Sequence, residues 1–172
     1  DKKFNVLSIK GIIKDLKEYG IIPFSILARH GFVAKDILIS LKEIKILSEI
    51  DVENFLRSFS TVTTDFLNDQ VLLKNKQLSY KDFLNKYGHL RAGTYDIKSN
   101  NYSKMSKKIL INDDATHIIK HAKFNLSNNK KTKIQKLLNK KMINLNVDQL
   151  FKYIEASIKS REYAKFIFTK SI

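Results

Sequence analysis

The feature that most constrains the fold of this 172-residue sequence is the spacing of its apolar side chains, which recur every three or four positions along most of the chain. That interval places apolar residues on one face of an α-helix, whereas a half-buried strand needs strict alternation. The single proline, Pro23, stands where a second helix would begin, and the first turn of a helix tolerates proline. We therefore predict an all-α fold, an irregular bundle of about five or six helices with one long ordered loop at residues 88–105.

Capping residues indicate where the individual helices begin and end. Gly20 and Gly88 are predicted C-terminal caps, and Ser79 and Ser127 are predicted N-terminal caps. Gly31 lies inside a helical pattern, which predicts close approach of another element. The predicted helices cover residues 6–19, 23–45, 51–73, 79–87, 127–142 and from 146 or 148 to the chain end, with a weaker helix at 114–123 and a brief extended piece at 107–111.

Composition narrows the class of protein. The chain has no cysteine, which excludes disulfides, thiolate metal sites and cysteine nucleophiles. No run approaches the ~18 apolar residues of a membrane-spanning helix, and no N-terminal secretion signal is present, so we expect a cytoplasmic location. Because the sequence begins with Asp1 and stops inside a predicted helix, we interpret residues 1–172 as a single helical domain excised from a larger multidomain protein.

The net charge of +15 is concentrated in one segment. Residues 98–141 contain twelve Lys against Asp113 and Asp114, and so carry a net charge of +10. Such a segment is typical of a polyanion-binding surface, but proteins that bind specific nucleic-acid sequences favour Arg and interleaved aromatic residues, which are missing here. A free-standing basic module that binds nucleic acid or another polyanion is therefore the alternative hypothesis.

The stretch KYGHLRAGTYDI at residues 86–97 holds the main candidate site residues, His89, Arg91, Tyr95 and Asp96. An Arg–Asp pair would hold the loop against the helices through charge-assisted hydrogen bonds, which is the structural interpretation. In the functional interpretation, His89 and Arg91 bind a phosphate or an anionic acceptor at a domain junction. The sequence leaves both interpretations open.

Two further candidates, Arg29 and His30, interrupt an apolar helical segment. Lone polar residues in such a segment mostly extend toward solvent or bond to neighbouring backbone. If Arg29 points inward, Glu162 and Asp96 are its candidate partners.

A metal site is a weaker hypothesis. Asp113, His117 and His121 have the four-residue spacing that would put them on one helical face. Position 118 is Ile rather than the Glu found in zinc-protease helices, so we predict no metal site.

Three stretches carry a resemblance to a known family: ILARHGFVAKDILISL at residues 26–41, LNKYGHLRAGTYDI at 84–97 and SREYAKFIFTKSI at 160–172. They resemble the central helical region of phosphoenolpyruvate synthase-like proteins, a group that includes pyruvate phosphate dikinase and the rifampin phosphotransferases. Ala92 stands where the family pattern commonly has proline, which would make this turn less rigid.

The resemblance implies a multidomain, ATP-dependent phosphotransferase. In such a protein a nucleotide-binding domain phosphorylates a histidine on a mobile domain, and that domain carries the phosphoryl group to or from pyruvate or another acceptor. This chain would be the non-catalytic helical linker and acceptor platform, with no catalytic residue and no cofactor of its own. ATP and Mg would belong to the parent protein. The implied partners are the nucleotide-binding and phosphohistidine domains and a small-molecule acceptor; nucleic acid and membrane are not expected.

Overall fold

A computed structural model describes residues 6–91, 98–111 and 117–170, and these residues form an all-α structure, which confirms the predicted class. Within them the only β-type pairing is an isolated antiparallel bridge between Arg91 and Asn101. The elements are α1 (Val6–Asp15), a π-helical turn (Leu16–Ile21), α2 (Ile22–Glu43), α3 (Glu49–Leu56), α4 (Val62–Lys74), α5 (Tyr80–Tyr87), a 3₁₀ turn (Tyr102–Lys104), α6 (Lys107–Leu110), α7 (Asn128–Lys140) and α8 (Val147–Lys170).

The predicted break between the first two helices is wrong. The chain passes from α1 into α2 through the π-helical turn, and the backbone remains right-handed helical at both ends of that turn. Gly20 does not have a positive φ and so is not a left-handed cap. A Cβ atom at Gly20 would lie 3.4 Å from Cε2 of Phe168, so the glycine lies against α8 instead. Pro23 occupies the first turn of α2, as predicted.

The single helix predicted over residues 51–73 is also wrong, because the chain divides it into α3 and α4. Thr61 adopts an extended conformation, and its hydroxyl accepts a hydrogen bond from the backbone N–H of Thr64. A hydroxyl side chain competes with helical backbone bonding in this way and starts a new helix. The cap of α3 is Ser48 rather than Asp51, which instead completes a reciprocal capping box with Ser48.

Most of the other predicted helix ends agree with the structure. Ser79 caps α5, Ser127 precedes α7, and Asn146 precedes α8 with its side-chain oxygen accepting a bond from the Gln149 N–H. Residues 107–111, predicted as extended, contain the short helix α6. The weak helix predicted at 114–123 is not formed at residues 117–123, which have no regular structure.

Among the described helices, α2 and α8 form the most extensive packing contact, and they run antiparallel. Phe24 stacks on Phe168 at one end, and further along α2 Gly31 faces Arg161. A Cβ at Gly31 would lie only 2.5 Å from Cδ of Arg161, which confirms the close approach predicted at this glycine. The larger hydrophobic core lies beside this contact and consists of Ala34, Leu38, Leu41, Leu47, Phe55, Phe59, Leu126, Ile134, Leu138, Val147, Leu150, Phe151 and Ile154.

A second core lies toward the C-terminal end of α8, where Phe166 packs against it. Leu73, Phe83, Tyr87 and Leu110 are buried there, with Phe66, Leu90, Tyr102 and Phe166 packed around them. This cluster fixes the segment after α5 against α8, and it therefore positions the first half of the KYGHLRAGTYDI motif.

The helix α1 is much less buried than the rest. Its apolar residues Ile9, Ile12 and Ile13 are exposed, and its contacts lie mainly with the π-helical turn next to it. Among the described residues, no helix combines the length and the apolar content that crossing a membrane requires.

Candidate functional site: a basic groove along α8

A groove with a volume of about 1090 Å³ lies over α8, between α2 on one side and α3, α4 and the segments 89–91 and 101–102 on the other. Its arrangement follows from the packing, because α8 contacts both α2 and α4. The lining residues are Phe24, Gly31, Lys35, Leu38, Ile39, Lys42, Val52, Leu56, Val62, Thr63, Phe66, His89, Leu90, Arg91, Asn101, Tyr102, Ile158, Arg161, Glu162, Lys165, Phe166, Phe168, Thr169 and Lys170.

His89 lies on this groove with a fixed orientation. Its Nε2 is 3.2 Å from the carbonyl oxygen of Phe166, and its ring meets the Phe166 ring edge-on at 4.7 Å. Because a carbonyl oxygen only accepts, Nε2 carries the proton of this bond, and Nδ1 of the neutral ring is an acceptor. Partial burial and the nearby charge of Lys170 lower the pKa of His89, although its bond to Phe166 opposes them. His89 is therefore a neutral polar group in a basic environment.

Arg91 is half-buried on the same groove. It contacts the chain about eight residues later and so helps residues 88–103 to fold back on themselves. Its guanidinium donates a hydrogen bond to the carbonyl oxygen of Ser99 at 3.2 Å, a contact within this segment rather than with a helix. The predicted pair of Arg91 with Asp96 lies outside the described residues. Two backbone hydrogen bonds continue the pairing of Arg91 with Ser99. The N–H of Tyr102 donates to the carbonyl oxygen of Leu90, and the N–H of Ser103 donates to the carbonyl oxygen of Gly88. The segments 88–91 and 99–103 are therefore held together beside α8.

The remaining predicted candidates are Tyr95, Asp96, Arg29 and His30. Tyr95 and Asp96 lie outside the described residues. Arg29 and His30 are exposed on α2 and do not line the groove. Nδ1 of His30 hydrogen-bonds with the Tyr153 hydroxyl at 2.9 Å.

Glu162, a candidate partner of Arg29, has a different role. One of its carboxylate oxygens accepts hydrogen bonds from the backbone N–H and the hydroxyl of Thr63, at 3.3 and 3.1 Å. This contact ties the start of α4 to α8. Glu162 makes no ion pair with Arg29 in the part of the chain that the structure describes.

Sequence reasoning missed most of the charge in the groove. Six cationic residues line it against a single described carboxylate, that of Glu162; the cations are Lys35, Lys42, Arg91, Arg161, Lys165 and Lys170. Of these, Lys42 is paired with Glu49 at 2.8 Å. A sequence signal did exist, because Arg161 and Lys165 are one turn apart on the same helix and Lys35 is one turn from Gly31. The groove therefore combines a surplus of positive charge with an apolar lining.

Metal binding has little support in the described residues. His117 and His121 lie in a segment without helical structure, so their four-residue spacing does not put them on one helical face. Asp113 lies outside the residues the structure describes. Within those residues, no three His, Asp or Glu side chains come together as metal ligands would.

A scan against protein-family models and searches of curated proteins and of solved structures find no match to this chain.

Proposed function

We propose that this chain is a non-catalytic helical linker and acceptor-platform domain of a phosphoenolpyruvate synthase-like phosphotransferase. The observation that carries the proposal is the convergence of the three stretches that resemble that family. They are far apart in the sequence, yet all three line the groove: residues 31–39 from the first, 89–91 from the second and 161–170 from the third. A shared binding surface explains why stretches so far apart would have the family's sequence.

The chemistry of the groove favours binding rather than catalysis. Phosphoryl transfer needs groups that hold Mg²⁺ and the nucleotide phosphates, and carboxylates are the usual metal ligands. Glu162 is the only carboxylate among the described lining residues, and it is engaged by Thr63. Nucleotide and Mg²⁺ binding are therefore assigned to neighbouring domains of the parent protein, in agreement with the resemblance.

The size of the groove supports a role in holding an acceptor. Small-molecule sites have volumes of roughly 300–1,000 Å³ and are lined mainly by apolar and aromatic side chains, with a few polar groups. The groove volume of about 1090 Å³ is slightly above this range, and Phe66, Phe166, Phe168 and Leu38 are among its lining residues. His89 and Arg91 would then orient the acceptor toward a mobile phosphohistidine domain. The proposal includes the cytoplasmic location expected from the sequence.

The groove part of this proposal is tested by adding the neutral apolar dye phenylnaphthylamine to the isotopically labelled chain and recording amide chemical shifts. We expect saturable shifts at groove residues on α2, α8 and the 89–91 segment. Shifts confined to other surfaces, or no binding, would remove the acceptor platform.

The phosphotransferase part is tested by reading the coding sequence on both sides of the region that encodes this chain. We expect a nucleotide-binding segment on one side and a histidine-bearing mobile segment on the other. If neither is encoded there, the chain is not a linker of this kind. As an independent measurement, the chain with ATP and Mg²⁺ should release no phosphate; steady turnover would contradict a non-catalytic role.

A further inference from the structure

We propose that one side of α1 is a dimer interface, on which the α1 helix of a second copy of this chain packs in the antiparallel direction. This surface, the α1 face, consists of Ile9, Ile12, Ile13 and Leu16, the last of which begins the π-helical turn. None of these residues lines the groove, so the inference does not depend on the proposed function.

The α1 face is apolar, exposed and confined to one side of the helix. Its four residues recur at helical spacing, and each is between 44% and 59% exposed. Lys14 is two positions from both Ile12 and Leu16, so it lies on another side of the helix. In the part of the chain that the structure describes, α1 makes extensive contact only with the π-helical turn next to it. A contiguous apolar surface rimmed by polar residues is typical of an interaction site.

The α1 face points to the side of the chain on which α8 packs. A Cβ atom at Gly20 would lie 3.3 Å from Cδ1 of Leu16 and 3.4 Å from Cε2 of Phe168, so Leu16 and the last turns of α8 meet at this glycine. Phe24 and Gly31 of α2 also contact α8. The α1 face therefore continues the side of α2 that an antiparallel helix already covers. A further antiparallel helix in line with α8 would cover the α1 face by the same kind of packing.

The spacing of the four residues makes the face complementary to an antiparallel copy of itself. The intervals between positions 9, 12, 13 and 16 are three, one and three, which read the same in both directions. In an antiparallel pair, Ile9 therefore lies opposite Leu16 of the second copy, and Ile12 lies opposite Ile13. A two-fold interface requires this property, because the same surface serves both partners. A parallel pair would instead bring the two α2 helices together along the side that α8 occupies.

The length of the face predicts a weak and reversible dimer. Positions 9 to 16 span only about 10 Å of helix axis. A contact of this length falls in the class of weak complexes that bury less than ~1,200 Å² in total. We therefore expect a dissociation constant in the micromolar range or weaker. The net charge of +15 on each chain also opposes association. Salt at about 0.3 M reduces this repulsion, because the Debye length is then below ~8 Å.

Sedimentation equilibrium of the full chain tests the dimer at concentrations from about 10 μM to about 1 mM, the range that a weak interface requires. We expect a monomer–dimer equilibrium. Ile12→Ser should weaken it by at least about tenfold, because a symmetric pair loses two apolar side chains. Ile50→Ser is the matched control, since it removes the same side chain from α3, where Ile50 is 67% exposed, and should have no effect. A chain that remains monomeric, or equal weakening by the two substitutions, would overturn the inference.

The antiparallel arrangement is tested by disulfide crosslinking, which the absence of cysteine from the sequence makes straightforward. The two single variants are Ile9→Cys and Leu16→Cys. In the antiparallel pair, position 9 of one copy is opposite position 16 of the other. The two copies of position 9 are about 10 Å apart along the axis, which is too far for a disulfide. Brief oxidation should therefore crosslink an equimolar mixture of the variants, whereas each variant alone should remain uncrosslinked. Efficient crosslinking of either variant with itself would contradict this arrangement.

A lipid surface is the other occupant that an apolar helix face carrying nearby lysines would suit. Sedimentation with phosphatidylglycerol vesicles tests it. Uptake by the vesicles that Ile12→Ser abolishes, in a chain that does not dimerise, would assign the α1 face to lipid and overturn the inference. Dimerisation that Ile12→Ser weakens and Ile50→Ser does not supports the inference, whether or not the vesicles bind the chain.

Discussion

Gly88 ends α5 in an ordinary right-handed conformation, with φ at −59°, so its backbone angles do not require glycine. Glycine is required here because a larger residue would collide with neighbouring atoms. A Cβ at this position would lie 2.5 Å from the carbonyl oxygen of Leu84 and 3.4 Å from the side chain of Ser103. The contact with Leu84 involves backbone, which cannot swing away as a side chain would. Gly88 thus allows the chain to fold back tightly before His89 and Arg91 reach the groove.

Changing Gly88 to Ala should therefore lower the free energy of unfolding by roughly 2 kcal/mol, the usual cost of forcing an extra methyl group into packed surroundings. Urea denaturation of the variant and the parent chain measures the difference. Gly11→Ala is the matched control, because among the described residues no atom beyond its chain neighbours and the backbone of its own helix lies within 4 Å of a Cβ there. Inside α1 the alanine should raise stability by up to about 1 kcal/mol. Equal effects at the two positions would contradict the steric argument.

His89 makes the stability of the fold dependent on pH. Its pKa in the folded protein is below the ordinary value of 6.5, chiefly because burial disfavours the charged ring and because Lys170 repels it. The unfolded chain therefore binds more protons as the pH falls below 6.5, and the free energy of unfolding decreases on acidification through that range. His89→Gln should reduce this decrease, as measured by denaturation at several pH values.

The same histidine can be followed directly by nuclear magnetic resonance. A titration of its imidazole signals should give a midpoint below 6.5, the ordinary value for histidine. A midpoint above it would contradict the burial and the repulsion by Lys170 that the structure shows.

At the scale of helices, three helix C-termini have the same backbone conformation, which the sequence does not reveal. Two positions after the last residue of α2, α4 and α7, the chain has a residue of positive φ. These residues are Lys45, Lys76 and Met142. In each case the following N–H donates back to a carbonyl in the last turn of the helix, as from Ile143 to Leu138. This is the Schellman arrangement, in which glycine usually occupies the left-handed position. A non-glycine residue there carries a conformational cost.

Met142→Gly should therefore stabilise the protein by about 0.5 kcal/mol. The left-handed conformation costs a non-glycine residue about 1–2 kcal/mol, which is partly offset by the greater freedom of glycine in the unfolded chain. The Met142 side chain is 91% exposed and has little packing to lose. Thermal unfolding provides the measurement. Lys141→Gly, one residue earlier at negative φ, should have the opposite effect; stabilisation by both would point to another cause.

These helix ends also explain what the sequence could and could not predict. Ser79, Ser127 and Asn146 were identifiable because N-terminal caps use a few residue types, whereas Lys45, Lys76 and Met142 look like any helical residue. The division at Thr61 was missed because the apolar spacing continues across it.

Among the residues of the candidate site, His89 and Arg91 were identifiable from a dense local motif. For Lys35 and Lys165 the sequence offered only their helical spacing from Gly31 and Arg161. That spacing does not show that these lysines and Lys170 share one groove, because only the antiparallel packing of α2 on α8 brings them together.

Across the whole molecule, the basic segment and the groove are largely separate. Of the described residues of the segment 98–141, only Asn101 and Tyr102 line the groove. Its lysines are mostly exposed on α7 and the connections before it, and they include Lys130, paired with Asp51 at 2.6 Å, and Lys131, paired with Asp148 at 3.6 Å. The positive charge that dominates the composition is therefore spread over surface outside the candidate site.

This separation allows the alternative hypothesis of a polyanion-binding module to be tested by itself. Random-sequence DNA, followed by fluorescence anisotropy, should bind with a dissociation constant no tighter than about 10⁻⁶ M near physiological salt, as nonspecific binding does. A dedicated surface that contacts six or more phosphates would bind more tightly at low salt and lose roughly a thousandfold in affinity between about 50 and 200 mM salt.

Two double variants, one on each surface, locate the DNA contact. Weak DNA binding should be reduced by Lys133→Gln with Lys136→Gln about as much as by Lys165→Gln with Lys170→Gln, because diffuse attraction depends on total charge rather than on position. Tight, steeply salt-dependent DNA binding that is lost specifically with the α7 pair would favour the basic module, since it would place the functional surface on α7 rather than on α8.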